Sequence, residues 1–116
     1  MAIYYETPLD RTFHALGDST RRHMLSALHE KGQLTAGELG KPFNISQPTA
    51  SKHLAVLEKA GLVSRTIKGR KHSFALNATP LEEADSWINR HTAFWTGSLD
   101  RLETLVEKTI KETKDD

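Results

Sequence analysis

The chain has 116 residues, no cysteine, and a formal net charge of +1 from 16 basic and 15 acidic side chains. That length excludes the larger enzyme folds and allows one modest hydrophobic core, and the lack of cysteine excludes disulfides, thiolate metal sites and cysteine nucleophiles. Divided by position the charge is uneven: residues 1–45 carry 0, residues 46–79 carry +5 and residues 80–116 carry −4, so the middle third holds the local positive field that attracts a polyanion. A hydrophobic fraction of 37% leaves a core that gains from burial against a second subunit, which makes a dimer the expectation. The amino-terminal MAIYYETPLDR lacks a basic region followed by an apolar run, and no segment reaches the length of a bilayer span; the expected location is the cytoplasm, with no membrane partner.

Thr7 and Pro8 precede a first helix in which Leu9, Phe13 and Leu16 recur at helical spacing before Gly17. Asp18 or Ser19 is placed to cap a second helix, with Met24, Leu25 and Leu28 as a buried stripe, Arg21 and Arg22 outside, and Gly32 at its end. A short third helix is predicted over residues 36–41, with Leu34 and Leu39 turned inward; Pro42 stops it and Phe43, Asn44 and Ile45 form a turn.

The following stretch, SQPTASKHLAVLEKAGLV at residues 46–63, is the most informative. Ser46 caps the free N–H groups of a first turn that contains Pro48, where a missing N–H costs nothing. At 3.6 residues per turn Ala50, Leu54 and Leu57 share one face, whereas Pro48, Thr49, Lys52, Ala55 and Lys59 point the other way. The leading end presents hydroxyls, the Gln47 amide and a lysine with no carboxylate before Glu58, which suits an anion, and Gly61 ends the helix. His53 falls at the margin of the apolar face.

Leu62, Val63, Arg65 and Ile67 form one β-rich run and Ser73, Phe74, Ala75 and Leu76 another; between them lies the turn Lys68-Gly69-Arg70-Lys71, so a hairpin with three cations at its tip is predicted. Thr79, Pro80 and Glu82 are the start signal of a long last helix, residues 80–113. In it Leu81, Ile88, Trp95 and Leu102 repeat every seven residues, with Ala84, His91, Leu99 and Val106 between them and Trp87, Phe94 and Leu105 widening the stripe, the pattern of a helix packed along another helix. Residues 112–116 are expected to fray.

A short helix and tight turn before a polar-fronted helix, followed by a hairpin, is the order of a winged helix-turn-helix, mainly α with a small β-hairpin. In that arrangement residues 46–60 are the recognition helix for the DNA major groove and residues 68–71 the wing. The whole chain, residues 1–116, reads as one such domain whose last helix serves dimerisation.

FHALGDSTRRHMLSAL, the ISQPTASKHLAVLEKAGLV segment and KGRK followed by FALN resemble the ArsR family of dimeric winged-helix repressors, over roughly residues 9–110. The resemblance implies a homodimer joined by the first and last helices, bound to a two-fold DNA operator and released by an effector. It places Gln47, Thr49, Ser51 and His53 at DNA-contact positions and Arg65, Lys68 and Arg70 on the wing; Lys52 and Lys71 join them from the facing and charge of their segments. Leu9 and Phe13 on the first helix, with Ile88, His91, Trp95, Leu99 and Leu102 on the last, are the expected dimer interface. Many metal-sensing members carry a cysteine pair on the third helix, where this chain has Thr35-Ala36-Gly37-Glu38 and so lacks that thiolate site; with Trp87, Phe94 and Trp95 followed by LDRLE, its last helix resembles that of a metal-independent subgroup.

Blander readings compete. The wing cations fit a solvated turn, the polar face of the recognition helix needs no partner, and Arg21 and Arg22 fit pairing with a nearby carboxylate better than phosphate contact. Asp10 with His14, or Asp85 with His91, suggests a zinc site across a dimer, but no helix carries histidines at i,i+3 or i,i+4 and neither a metal nor a cofactor is expected. Trp87, Phe94 and Trp95 suit core or dimer packing or the lining of a small-molecule effector pocket. The rival function is a winged-helix module that binds an acidic protein; an enzyme is not expected, for want of a phosphate loop, nucleophile motif or close carboxylate pair.

Overall fold

The computed structural model describes residues 6–114. The amino-terminal reading thus falls partly on residues outside this range, as does the fraying expected of residues 115 and 116. Helix α1 (Pro8–Leu16) opens with a capping box: Thr7 Oγ1 accepts from the Asp10 N–H at 3.1 Å and the Asp10 carboxylate accepts from the Thr7 N–H at 3.0 Å. Its core-facing residues are the small Thr12 and Ala15, which leaves Leu9 half-buried and Phe13 exposed.

Asp18 caps α2 (Ser19–Lys31), accepting from the Arg21 N–H at 3.1 Å, and Met24, Leu25 and Leu28 are buried as their spacing predicts. The two arginines behave otherwise than expected. Arg21 is half-buried, and its Nε and Nη2 donate to the carbonyls of Ala15 and His14 at 2.8 and 3.1 Å; Arg22 Nη1 donates to Leu16 O at 2.7 Å. They bind the carbonyls at the end of α1, where Ala15 and Leu16 lack a helical partner and His14 O also accepts from the Gly17 N–H, a cation at the negative end of a helix; neither is in an ion pair with a described carboxylate.

A strand absent from the sequence reading, β1 (Gln33–Thr35), precedes α3 (Ala36–Gly40). The predicted third helix ends one residue early, and a 3₁₀ turn, Lys41–Phe43, takes over before Asn44 adopts a left-handed φ of 53°. Gly40 is buried where α3 meets the next helix; a Cβ there would lie 2.9 Å from Ala50 Cβ. Helix α4 (Gln47–Lys59) buries Ala50, Leu54 and Leu57. It closes with Gly61 at φ 74°: the Gly61 N–H reaches Glu58 O and the Leu62 N–H reaches Leu57 O, both at 2.9 Å, a Schellman arrangement that permits the positive φ only with glycine at low cost.

Strands β2 (Val63–Lys68) and β3 (Lys71–Leu76) form the hairpin, with Gly69 at φ 62° in a two-residue loop. The sheet is three-stranded and antiparallel in the order β1-β3-β2, so the hairpin is joined to the body through Leu34 opposite Phe74. Both side chains are buried with Met24, Leu28, Leu39, Leu54, Leu57 and Leu62 in one core. Helix α5 (Thr79–Lys114) begins at Thr79, whose N–H donates to Asn77 Oδ1 at 3.4 Å; it starts with the threonine predicted to cap it.

One compact unit ends at Ala84 and a second, the remainder of α5, begins at Asp85. In the first, Leu81 packs on the core and Ala84 is buried. In the second, Phe94, Trp95 and Leu99 are 67%, 65% and 60% exposed, and His91 stacks on Trp87 at 4.1 Å between ring centres while its Nδ1–H donates to Trp87 O at 2.8 Å. Among the described residues no helix is long and apolar enough to cross a membrane.

Asp10, Asp18 and Glu38 are held below their ordinary carboxyl values of 3.8, 3.8 and 4.5, chiefly by accepting from the backbone N–H groups of Thr7, Arg21 and Thr35. A depressed folded value contributes stability that is complete well above the ordinary value and is lost as the pH falls through the folded one. Thermal unfolding midpoints are therefore expected to fall as the pH drops below about 4.5. Asp18→Asn, which caps without titrating, should flatten this profile, and an unaltered profile would remove Asp18 from the account.

Candidate nucleic-acid interface

The first turn of α4 has no acidic residue, and Ser46 organises it: Ser46 Oγ accepts from the Thr49 N–H at 3.3 Å and donates to Thr49 Oγ1 at 3.0 Å. Gln47, Thr49, Ser51 and Lys52 are exposed on this end of the helix. The wing residues Lys68, Arg70 and Lys71 are exposed too, and none is in an ion pair with a described residue.

Helix and wing meet in a groove of about 520 Å³ whose walls include Gln47 and Ser51 from α4, Arg65, Arg70 and Lys71 from the hairpin, and Gly37 from α3. Five predicted DNA-contact residues are thereby brought together, whereas Thr49, Lys52 and Lys68 stand on the surface outside the groove lining. A larger groove of about 710 Å³ lies between α2, α3 and the 3₁₀ turn, but Glu30 and Glu38 share its rim with Lys31 and Lys41, a balance that gives a polyanion no net attraction.

Two predicted contact residues are already engaged within the chain. His53 is half-buried, its Nδ1 3.3 Å from Arg21 Nη1 and 3.9 Å from Asp18 Oδ2. A guanidinium cannot accept, so a neutral His53 takes the Arg21 hydrogen on Nδ1 and carries its own on Nε2. Arg65 donates from Nε and Nη2 to the two Glu58 oxygens at 3.2 and 3.0 Å, and its guanidinium lies 5.0 Å above the Phe74 ring. This pair ties the last turn of α4 to β2. Because both partners are about one-third exposed, it contributes roughly 0–1 kcal/mol to stability and more to geometry.

His72 is the residue that sequence reasoning missed. The predicted second strand starts at Ser73, but the register pairs Ile67 with His72, which puts His72 on the face of β3 shared with Phe74 and Leu76 and into the groove lining. Alternation of His72, Phe74 and Leu76 was the available signal. As to metals, the Asp10 carboxylate is occupied by Thr7, and among the described residues no group of three or more His, Cys, Asp or Glu side chains is placed to hold an ion.

A family profile described as a helix-turn-helix domain matches residues 16–66, which span α2 through most of β2. The chain is 38% identical over 80 residues to the transcriptional repressor SdpR of Bacillus subtilis, covering 69% of this chain and 88% of SdpR. It is 34% identical over 109 residues to the HTH-type transcriptional regulator Rv2034 of Mycobacterium tuberculosis, covering 94% and 97% of the two chains. A crystal structure of an ArsR family transcriptional regulator superposes with a TM-score of 0.72 at 34% identity, over 83% of this chain and 97% of that one. The chain belongs to the ArsR family. It is a winged helix-turn-helix, DNA-binding transcriptional regulator, and the ArsR family is one of regulators, not of enzymes. In this ArsR protein the segment compared with the cysteine pair of metal sensors serves as a helix start: Thr35 and Glu38 form the capping box of α3.

Proposed function

We propose that the protein is a repressor that binds a two-fold DNA operator as a homodimer, with α4 in the major groove and the wing on the phosphate backbone. The observation that carries this is the groove in which the acid-free end of α4 faces Arg65, Arg70 and Lys71. Gln47, Thr49 and Ser51 supply hydrogen-bonding groups for base edges, Lys52 and the wing cations meet phosphates, and His53 presents Nε2–H at the margin. Repression is supported by the name of SdpR. The dimer is supported by the exposed apolar stripe of α5, where Ile88, Trp95, Leu99 and Leu102 are far more exposed than a lone chain in water favours. Leu9 and Phe13 of α1 and the Trp87–His91 stack complete the proposed interface, the location is the cytoplasm, and a small-molecule effector is a further partner.

If each subunit neutralises three to five phosphates, the dimer makes roughly 6–10 contacts and its affinity falls about 10³–10⁵-fold between 50 and 200 mM salt. Fluorescence anisotropy with a duplex that the protein retains measures this. An affinity that hardly changes over the range, or a pull-down in which nuclease treatment leaves an acidic protein bound, contradicts the operator reading in favour of a protein-interaction module. Light scattering at micromolar concentration checks the dimer, and a monomer there overturns the α5 interface.

A further inference from the structure

We propose that His72 is a further DNA-contacting residue and that Arg65 positions it. The inference rests on the DNA-binding reading above and adds to it a neutral donor on the wing. The Arg65 guanidinium is held on one edge by the Glu58 carboxylate and on one face by Phe74, which leaves Nη1 aimed at His72 Nδ1, 3.2 Å away. Arginine has five N–H donors and no lone pair to offer, so Nδ1 must accept. The neutral imidazole then carries its hydrogen on Nε2, across the ring from Arg65.

The register decides where that N–H is delivered. Val63 opposite Leu76, Arg65 opposite Phe74 and Ile67 opposite His72 lie on one face of the hairpin, and along it burial ends after Phe74. His72 is thus the first residue of this face beyond the core, exposed, and part of the groove lined by Gln47, Ser51 and Arg70. The partner is an acceptor atom of DNA, a phosphate oxygen or a base edge. Because the donor is neutral it releases no counterion, which separates it from Lys68, Arg70 and Lys71.

The test uses the full chain at pH 8 and a duplex that the wild type retains, titrated over a range of salt. His72→Ala is expected to weaken binding about tenfold, the loss of one hydrogen bond to a charged or strongly polar acceptor, with the salt slope unchanged. His72→Gln, whose amide N–H reaches near the Nε2 position, should recover most of that loss. Arg65→Lys keeps the charge but removes the fork; it should weaken wild-type binding severalfold and add nothing in the His72→Ala background. His72→Ala binding within twofold of wild type, a flattened slope, or additive effects of the two substitutions overturns the proposal. A wild-type chain that retains no duplex at all defeats the DNA-binding reading itself, whereas equal binding by wild type and His72→Ala defeats only this inference.

Discussion

Replacing Lys68, Arg70 and Lys71 together by alanine is expected to reduce the log–log salt slope of DNA binding by roughly 5, from the loss of three charges on each of two subunits at about 0.9 per phosphate contact. The three side chains occupy the end of β2, the two-residue loop and the start of β3, all exposed, so removing them takes nothing from the core. Unfolding midpoints should therefore stay close to wild type while affinity at low salt falls steeply. Alanine at Gln47 or Thr49 should do the reverse in kind, leaving the slope in place and narrowing the difference between preferred and unrelated sequences. A triple variant that keeps the full slope would assign those cations to a solvated turn.

Gly40→Ala is expected to destabilise the protein by about 1–3 kcal/mol, although glycine in a helix is usually the worse choice. Gly40 has φ −84°, a conformation alanine adopts without strain, so backbone entropy alone would favour the substitution by roughly 0.5–1 kcal/mol. Packing decides the sign. The added methyl would stand 2.9 Å from Ala50 Cβ and 3.4 Å from Ile45 Cγ1, with Ala50 fully buried, so α3 and α4 must separate to admit it. Since α4 carries the proposed base-reading side chains, DNA affinity should fall along with the urea midpoint. A raised midpoint would show that the two helices can part without cost and would remove this contact from the account.

The elements that could be read from the chain are those whose physics is local. In α4 the cap at Ser46, the buried face of Ala50, Leu54 and Leu57 and the left-handed Gly61 all follow from spacing and residue type within one segment, and each is found in place. What was missed depends on partners distant in sequence. A strand of three residues, Gln33–Thr35, has too short a run to show a period and exists because Leu34 pairs with Phe74. Arg21 and Arg22 reach back to α1 carbonyls since the tight turn at Gly17 brings that helix end within their span, a feature no charge pattern announces. Arg65, placed on the wing by the family resemblance, lines the groove and is also held within the chain, because the hairpin register sets it among Glu58, Phe74 and His72. The groove could be anticipated in its residues but not in its closure, because Gln47 and Arg70 come together only through the sheet.

Whether two copies of this chain read a symmetric DNA sequence with α4 and grip its backbone with the wing can be decided by selecting genomic DNA fragments with the purified protein and sequencing those retained. The expected result is an enriched sequence with two-fold symmetry, its half-sites centred about one helical turn apart. Enrichment of no sequence, or of one without symmetry, would contradict it.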